Sequence, residues 1–559
     1  MLFRSPLNEN TEYVISLNNT AIKDKSGNIP TNDYTLNYKT TFVIVWKEDA
    51  SNTSWYNPDN WVGGNVPDDN NSVTISSSNK YPVIVYPVNV ANLTLEAGAE
   101  LYLDSGGDLN INGVFKMKSS PNINSSFINQ GGNINVDPEN IMIEQVMTNS
   151  ETQTYILSSP VEGITPYKLG GLSMYWYDNA TGENVLLPDN SPMETGLGYF
   201  TRFVDAPLLS PIIFSGQINQ GNISVPVYRG AKGGWNLIGN PYPTAVNWED
   251  LVLDNVEDFY WIWQHYYTDG GGVWGTYGGL SGISLNGITP AEIPSNHGFM
   301  VKVPSGSTEG SILFTPFAMI PNSTSYLRVD NEAKVPYIKL AGIKNNISDE
   351  TAIALIDDSF AEINYDVDKY FSNNTGMIEL YSVSNNLKTA IKGLVYENNI
   401  EIPLCFSVKE TGNCTIELVK NTAENVIENL KILLIDKIEG KEINLSESGL
   451  YSFNVTDPGA NETRFSLKFS GTQVNIDQNI QDKNLLKIFT DNKKVFINVP
   501  QLSDKKDIGY ELFDMNGRLI NKGFLKSGTS NVINISVSGV YLLNVKNSEI
   551  GGNYKVVVK

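Results

Sequence analysis

Short runs in which apolar and polar residues alternate constrain the fold of this chain most strongly, and they are clearest near its C-terminus. In Tyr510–Phe513 and Tyr541–Val545, apolar side chains recur with the two-residue period of a half-buried strand. Asn516-Gly517 stands between two such runs, and both residues tolerate the positive φ angles of a type I′ hairpin turn. Residues 485–559 are therefore predicted to form a small all-β domain.

The same alternation, with frequent turn residues and little helical periodicity, extends through the whole chain. Its 559 residues are too many for one hydrophobic core. We predict an all-β fold with several β-sandwich domains, a small β-solenoid or meander, and an Ig-like sandwich at the end. The predicted boundaries are 1–42 for the end of a cut Ig-like domain, 43–140 for the solenoid or meander, 141–320 and 321–470 for two sandwiches, 471–484 for a linker, and 485–559 for the last domain.

Three motifs follow one another in the last domain: Asp514-x-x-Gly517-Arg518, then Gly539-Val540-Tyr541, then Lys555-Val-Val-Val-Lys559. In this order and spacing they resemble the type A C-terminal sorting domain of type IX secretion clients. The resemblance implies partners, namely the type IX translocon and its C-terminal signal peptidase, and a final location outside the cell or on the outer-membrane surface, reached through the periplasm. The implied sorting residues are Asp514, Asn516, Gly517, Arg518, Gly539, Val540, Tyr541, Lys555 and Lys559.

Charge narrows the classes of partner. The net charge of −22 argues against nucleic acid, because binding to phosphates requires a basic surface. Residues 485–559 carry 11 Lys/Arg against 6 Asp/Glu, a local charge of 11 − 6 = +5. This local charge either docks the domain electrostatically on a translocon or is incidental to a solvated surface. No apolar run approaches the ~18 residues that span a bilayer.

The N-terminal end lacks features that an exported protein needs. Met1-Leu-Phe-Arg-Ser-Pro has neither the basic start nor the apolar stretch of a signal peptide. Residues 1–42 resemble the last strands of a bacterial Ig-like domain, through the strand Thr11–Leu17, the turn Ile22–Asn28 and the closing Thr40-Thr-Phe42. We therefore expect the natural start of the protein to lie upstream.

Residues 43–140 combine three tryptophans with recurring apolar pairs. The pairs, such as Leu93/Leu95, recur every eight to ten residues and are separated by turn residues, which suits stacked rungs that bury their pairs on one another. Trp46, Trp55 and Trp61 either cap this core or bind a ligand.

Residues 141–320 hold an aromatic cluster. Trp261, Trp263, Tyr266 and Trp274 are candidates for stacking on sugar rings of an extracellular polysaccharide. They could equally be the packed face of a long hairpin, since aromatic residues are favoured in strands.

Two further groups in residues 321–470 are candidate sites. Cys405 and Cys414 are predicted to face each other across a hairpin, as a disulfide in an oxidising compartment or as two buried thiols. Asp366 and Asp368 are a weak candidate for Ca²⁺, which several carboxylates can hold, although a solvated acidic loop explains them too. We predict no other cofactor.

Recognisable catalytic chemistry is missing from the sequence. The chain has 2 histidines, and it lacks a Gly-x-Ser-x-Gly elbow, zinc-ligand spacing and a phosphate loop. A carboxylate pair for glycoside hydrolysis needs only proximity in space, so it leaves no motif. We predict a non-enzymatic exoprotein of the adhesin or structural kind. The alternative is a carbohydrate-binding accessory region of a larger secreted glycan-degrading enzyme, and a hydrolase within residues 141–470 is a third, weaker hypothesis.

Overall fold

The chain folds almost entirely into β-strands, which confirms the predicted fold class. The single α-helix of the described residues is α1 (Leu445–Ser448), and none of their helices has the length and apolar character needed to cross a bilayer. Short 3₁₀ turns lie at Pro58–Asn60, Pro138–Asn140, Trp248–Asp250, Pro316–Ala318 and Ala423–Asn425. The computed structural model describes residues 12–17, 34–39, 42–147, 154–202, 211–230, 232–265, 272–323, 333–356, 364–372, 374–384, 386–473, 486–491, 494–499, 508–514, 518–526, 530–537, 539–547 and 552–558.

The first two strands, β1 (Glu12–Leu17) and β2 (Tyr34–Lys39), form an antiparallel pair in which Glu12 lies opposite Lys39. The turn at 22–28 lies outside the described residues. That this pair is the end of an Ig-like domain stays a prediction.

A three-sided parallel β-solenoid follows, which is one of the two predicted arrangements, solenoid or meander. Each rung places an apolar residue on the one before it: Val73 pairs with Leu93, Leu93 with Phe115, and Phe115 with Ile141. The first side holds β3 (Phe42–Val45), β4 (Asn71–Ile75), β7 (Asn92–Leu95), β10 (Phe115–Met117) and β13 (Ile141–Gln145). The other sides are β5 (Val83–Ile84), β8 (Glu100–Leu103) and β11 (Ser126–Asn129), and β6 (Val88–Val90), β9 (Asp108–Ile111) and β12 (Asn133–Asn135).

Both ends of the solenoid core are covered. At the start, Trp46 and Trp55 pack edge-on against Trp61 with ring centroids 4.9 and 4.8 Å away, and all three are buried. Packing, rather than ligand binding, therefore explains these tryptophans. At the other end, β18 (Ile212–Phe214) pairs antiparallel with β13. Because β13 is the last rung and begins at Ile141, the solenoid extends beyond the predicted boundary at residue 140.

The region up to residue 320 consists of several small sheets that pack together. Asn240 links the loops of these sheets, because its buried side-chain amide donates to the carbonyls of Thr244 and Ile293. A Cβ at Gly239 would lie 2.2 Å from the hydroxyl oxygen of Ser158, so only glycine fits there. The strands are β14 (Thr154–Leu157), β15 (Ser173–Asp178), β16 (Glu183–Leu186), β17 (Tyr199–Arg202), β19 (Ile223–Tyr228), β20 (Trp235–Gly239), β21 (Ala245–Asn247), β22 (Val252–Asp254), β23 (Phe259–His265), β24 (Gly272–Gly278), β25 (Ile283–Leu285), β26 (Glu292–Ile293), β27 (Gly298–Lys302), β28 (Glu309–Phe314) and β29 (Met319–Ile320).

The strands of residues 337–473 form one hydrogen-bonded series, which folds over on itself around a shared core. The order is β38-β37-β40-β35-β33-β34-β31-β30-β36-β39, with β32 beside β34. Ile338 and Ile416 from one end share a buried cluster with Leu404 and Phe465 from the other, as in a sandwich. The strands are β30 (Tyr337–Lys344), β31 (Ile347–Ile356), β32 (Val367–Asp368), β33 (Ile378–Ser384), β34 (Leu387–Val395), β35 (Glu401–Val408), β36 (Gly412–Asn421), β37 (Ile427–Asp436), β38 (Lys441–Asn444), β39 (Leu450–Val455) and β40 (Gly459–Gln473).

The last domain has its own buried cluster, which includes Val495, Leu512, Leu543 and Val556. A three-stranded and a four-stranded sheet enclose it. The strands are β41 (Lys487–Asp491), β42 (Lys494–Asn498), β43 (Ile508–Asp514), β44 (Leu519–Leu525), β45 (Ser530–Asn534), β46 (Gly539–Lys546) and β47 (Gly552–Val558).

Candidate functional site

The three C-terminal motifs meet on neighbouring strands of one sheet. Strand β43 ends at Asp514, which lies opposite Tyr541 of β46, and Tyr541 in turn lies opposite Val556 of β47. Residues far apart in sequence therefore form one row across the sheet. The backbones of Val540 and Lys555 belong to the same two strands, whereas Asn516, Gly517 and Lys559 lie outside the described residues.

The hairpin between β43 and β44 is closed by Asp514 and Arg518. Arg518 donates from its backbone N–H and its Nε to the Asp514 carboxylate at 2.9 and 3.1 Å, and the Asp514 N–H donates to the Arg518 carbonyl. Residues 515–517 between them lie outside the described part of the chain, so the turn type at Asn516-Gly517 stays a prediction. The Arg518 side chain is 78% exposed, so the hairpin presents its charge to solvent. Such an exposed ion pair contributes only about 0–1 kcal/mol to stability.

Tyr541 anchors the Gly-Val-Tyr strand. Its side chain is buried in the core of the last domain, and its hydroxyl donates to the carbonyl of Val537 at 2.5 Å. The ring thus ties β46 to the chain that enters it. Gly539 lies beside this ring, where a Cβ would make ordinary contact at 3.7 Å.

The aromatic candidates of the middle region do not form an exposed platform. Trp261 and Trp274 are buried, at 0% and 6% exposure, against β30 and β31 of the following sandwich. Trp263 is half-buried and packs on Trp274 with ring centroids 5.3 Å apart. The predicted sugar contact is therefore wrong for Trp261 and Trp274, because a buried ring face cannot stack on a ligand. Tyr266 lies outside the described residues.

A buried cluster of charged side chains lies near the contact between these tryptophans and the following sandwich. Lys369 Nζ is 2.8 and 2.6 Å from the two carboxylate oxygens of Asp349, and the two side chains are only 1% and 2% exposed. The Asp349 carboxylate also accepts hydrogen bonds from the Leu380 N–H at 2.8 Å and from the Asn286 amide at 3.1 Å. Glu379 is buried beside this pair and accepts from the Ser372 N–H at 2.6 Å.

Burial controls the protonation of the acids in this cluster. It raises the pKa of Glu379 to about 7; the positive charge of Lys369 opposes that shift and the Asp349 carboxylate adds to it. Burial also raises the pKa of Asp349, against the opposing effect of Lys369 and its hydrogen bonds. A carboxyl that titrates near pH 7 can both give and take a proton under physiological conditions.

Two residues from the preceding region, Asn286 and Trp261, also contact this cluster. Asn286 exchanges hydrogen bonds with Glu350: its N–H donates to the carboxylate at 2.6 Å, and its side-chain oxygen accepts from the Glu350 N–H at 2.7 Å. Lys369 Nζ also lies 5.7 Å from the ring centroid of Trp261. The cluster is thus fixed from two regions of the chain.

The predicted cysteine hairpin is corrected by the structure. Cys405 and Cys414 are free and buried, and their strands do not pair with each other: Cys405 lies opposite Tyr381, and Cys414 opposite Phe453. Cys414 belongs to the sandwich core, whereas Cys405 alternates with core residues and faces the other side of its strand. The second alternative, two buried thiols, is the one that the structure shows.

The calcium candidates have other partners. Asp368 forms an ion pair with Lys302, and Asp366 accepts a hydrogen bond from the Gly393 N–H at 2.8 Å. In the part of the chain that the structure describes, no group of three or more His, Cys, Asp or Glu side chains is arranged to hold a metal ion.

Sequence reasoning missed Asp349, Lys369 and Glu379. They belong to no motif, because three separate segments bring them together. One signal was available: Glu379 interrupts the apolar run Met377-Ile-Glu-Leu-Tyr381, where a buried charge needs a partner.

Comparisons with known proteins identify a family. A family model described as "Domain of unknown function (DUF8693)" matches residues 45–469. No curated protein matches the chain. One similar solved structure is dimeric latent PorU from Porphyromonas gingivalis, at 11% identity and a TM-score of 0.12, covering 63% of this chain and 35% of that chain. Another is the BSP domain of a biofilm associated protein, at 9% identity and a TM-score of 0.11, covering 74% and 91%. TM-scores this low carry no argument about fold or function.

Proposed function

The chain belongs to the family described as Domain of unknown function (DUF8693), and because that description names no activity, we propose a function from the chain's own residues. The protein is a secreted or cell-surface multidomain exoprotein of the adhesin or structural kind. Its last domain is a sorting signal that type IX secretion recognises and that a C-terminal signal peptidase removes. Its body acts without catalysis.

One observation carries the proposal. The motifs that resemble a sorting domain occupy one row across a single sheet, with Asp514 opposite Tyr541 and Tyr541 opposite Val556. Lys555 lies beside this row, opposite Leu542. The exposed guanidinium of Arg518 supplies a fixed charge next to that row.

The separateness of the last domain supports the proposal. It has its own hydrophobic core, and the family match ends at residue 469, before the linker. A signal that is removed after export needs such independence, because cleavage must leave the rest of the protein folded.

The accessory-region alternative loses its main support. It depended on aromatic rings that stack on polysaccharide, and two of its four candidates are buried in the protein core. Binding of a glycan at another surface of the body would revive it.

Export of a fusion protein tests the proposal. Residues 471–559 are placed behind a signal peptide and a folded passenger, in a strain that has type IX secretion. We expect the passenger outside the cell, and we expect deletion of residues 555–559 to hold it in the periplasm, because the deletion removes part of β47 and exposes the edge of β46.

A matched control separates the signal from general surface charge. Lys546 is 57% exposed and pairs with Glu511 on the same sheet, so Lys546→Ala changes a surface cation away from the Asp514–Arg518 hairpin. Export should survive Lys546→Ala. A passenger that stays in the periplasm with the unaltered tail, at normal expression, contradicts the proposal.

A further inference from the structure

The cluster of Asp349, Lys369 and Glu379 has the arrangement of a reaction centre. An amine and a carboxyl are in direct contact, with Nζ 2.8 and 2.6 Å from the two carboxylate oxygens. The carboxyl carbon between those oxygens is then about 3 Å from Nζ, within the range of a near-attack arrangement. Both side chains are sequestered from solvent.

We propose that Lys369 and Asp349 condense into an intramolecular amide bond between Nζ and the carboxyl carbon, with Glu379 as the proton relay and one water molecule as the leaving product. The bond would join β31 to the segment that follows β32. This inference does not depend on the proposed route of export.

The reaction begins with a proton transfer inside the ion pair. Burial disfavours the separated charges, so moving one proton from Nζ to the carboxylate gives a neutral amine and a neutral acid. The carboxyl then turns about its Cβ–Cγ bond to present its face to the nitrogen lone pair. The new C–N bond forms as the carbonyl π electrons move onto one oxygen.

Each carboxylate oxygen of Asp349 already has one donor, so the oxygen that takes the negative charge is held by a hydrogen bond. The Leu380 N–H and the Asn286 amide each donate to a different carboxylate oxygen of Asp349, at 2.8 and 3.1 Å. Fixed donors at a developing oxyanion are the largest single contribution in many acyl-transfer sites. Asn286 is itself held by its exchange with Glu350, so its donor is preorganised.

Glu379 completes the balance of protons. Glu379 interacts electrostatically with both partners without a direct hydrogen bond to either, so it acts through one intervening water molecule. By this route it takes a proton from the positively charged nitrogen of the tetrahedral intermediate and gives it to the departing hydroxyl, which leaves as water while the C=O bond re-forms. Two protons of the ammonium and one carboxylate oxygen make up the water, and no oxidant or cofactor is needed. Burial, which raises the pKa of Glu379 to about 7, suits it to both transfers.

Other charged groups lie close to this centre. Glu379 interacts with Lys369, Asp349 and Lys409. Lys339 pairs with Glu350, with side chains 14% and 10% exposed, and Lys302 pairs with Asp368, with side chains 14% and 18% exposed. A purely structural buried ion pair would show the same contacts between Lys369 and Asp349, so the experiment must detect the covalent bond itself.

Mass spectrometry of the full chain tests the proposal. The intact folded protein, denatured before measurement, should have a mass lower than its sequence mass by one water. Trypsin normally cuts after Lys369, and residues 345–388 contain no other internal Lys or Arg. The amide should block that cut and yield a single peptide of residues 345–388 that lacks one water.

Three variants assign the loss. Lys369→Arg retains the cation but not the amine, and Glu379→Gln retains the shape but not the relay, so both should show the full sequence mass. Lys302→Arg alters the neighbouring pair and should still lose water. Wild-type protein at its full mass with normal cleavage after Lys369, or a water loss that persists in Lys369→Arg, overturns the proposal. The wild-type measurement stands even where a variant fails to fold.

Discussion

Replacing Trp261 with alanine distinguishes a packed seam from a ligand platform. Trp261 is fully buried in β23, its Nε1 donates to the Asp368 carbonyl at 3.1 Å, and Lys369 lies over its ring. Truncating a buried Trp to Ala costs about 3–5 kcal/mol, and an orphaned hydrogen-bond partner costs about 1 kcal/mol more. We expect Trp261→Ala to lower the free energy of unfolding by about 4–6 kcal/mol.

The assay is equilibrium urea unfolding of the full chain, with hydrogen exchange to locate the change. The sheet strands that pack on Trp261, in residues 337–356, should lose protection first. Trp261→Phe keeps most of the ring and removes the donor, so it should cost less. Tyr167, which is 70% exposed, provides the control: Tyr167→Ala should change stability by less than about 0.5 kcal/mol.

The opposite result would refute the packing argument. If Trp261→Ala unfolds within about 1 kcal/mol of the wild type and loses binding on a glycan array, the ring serves a ligand. The sugar-contact hypothesis would then hold for a residue that the structure places in the core.

Three further predictions concern stability and reactivity. Arg464→Met should cost about 3–5 kcal/mol near neutral pH, because it strands the buried Asp436 carboxylate. Burial alone would raise the pKa of Asp436, but hydrogen bonds from Arg464, the Glu439 N–H and Tyr451, with the charge of Arg464, together outweigh it and lower the pKa. The pair therefore stabilises above the usual carboxyl pKa, and the effect fades as pH falls, which urea unfolding at two pH values measures. Cys405 and Cys414 should both titrate as free thiols, but only after unfolding, since burial raises the pKa of Cys405 to about 11. Gly239→Ala should lower the melting temperature, because its Cβ would lie 2.2 Å from a hydroxyl oxygen.

The local alternation of apolar and polar residues was enough to predict the all-β fold class. The apolar pairs Val73/Ile75 and Leu93/Leu95 predicted inward-facing rungs, and those residues are buried at 0–1% exposure. The period of two fixes which side of a strand is buried, so this part of the structure needs no knowledge of distant residues. The signal fails at the last rung, Ile141–Gln145, because its cap comes from β18, about 70 residues later.

The two-residue alternation of side chains along a strand also determines where the cysteines point. Leu404 and Phe406 enter the core, so Cys405 between them must face the other way. Cys414 belongs to the core cluster with Ile416. Spacing along the chain suggested a hairpin, but the chain after β35 continues into β36 among different neighbours. Pairing over long range is what the sequence alone does not specify.

The candidate reaction centre was beyond sequence reasoning for the same cause. Asp349, Lys369 and Glu379 come from three segments, and Asn286 from a fourth region reaches them through a turn at positive φ. Only the tertiary fold brings an amine, a carboxyl and two donors within hydrogen-bond distance.

The free cysteines and the proposed Lys369–Asp349 amide both concern covalent cross-links in the same sandwich. Under the proposed export a disulfide would be the usual covalent cross-link, but Cys405 and Cys414 are buried and free. Condensation of Lys369 with Asp349 needs no oxidant, so it would supply a staple that is independent of the redox state. By the chain-entropy model, closing a loop of roughly 20 residues stabilises by about 3 kcal/mol. The amide would therefore stabilise the sandwich of residues 337–473, against which Trp261 packs. Reducing agents should then leave the stability of this sandwich unchanged, whereas Lys369→Arg should lower it.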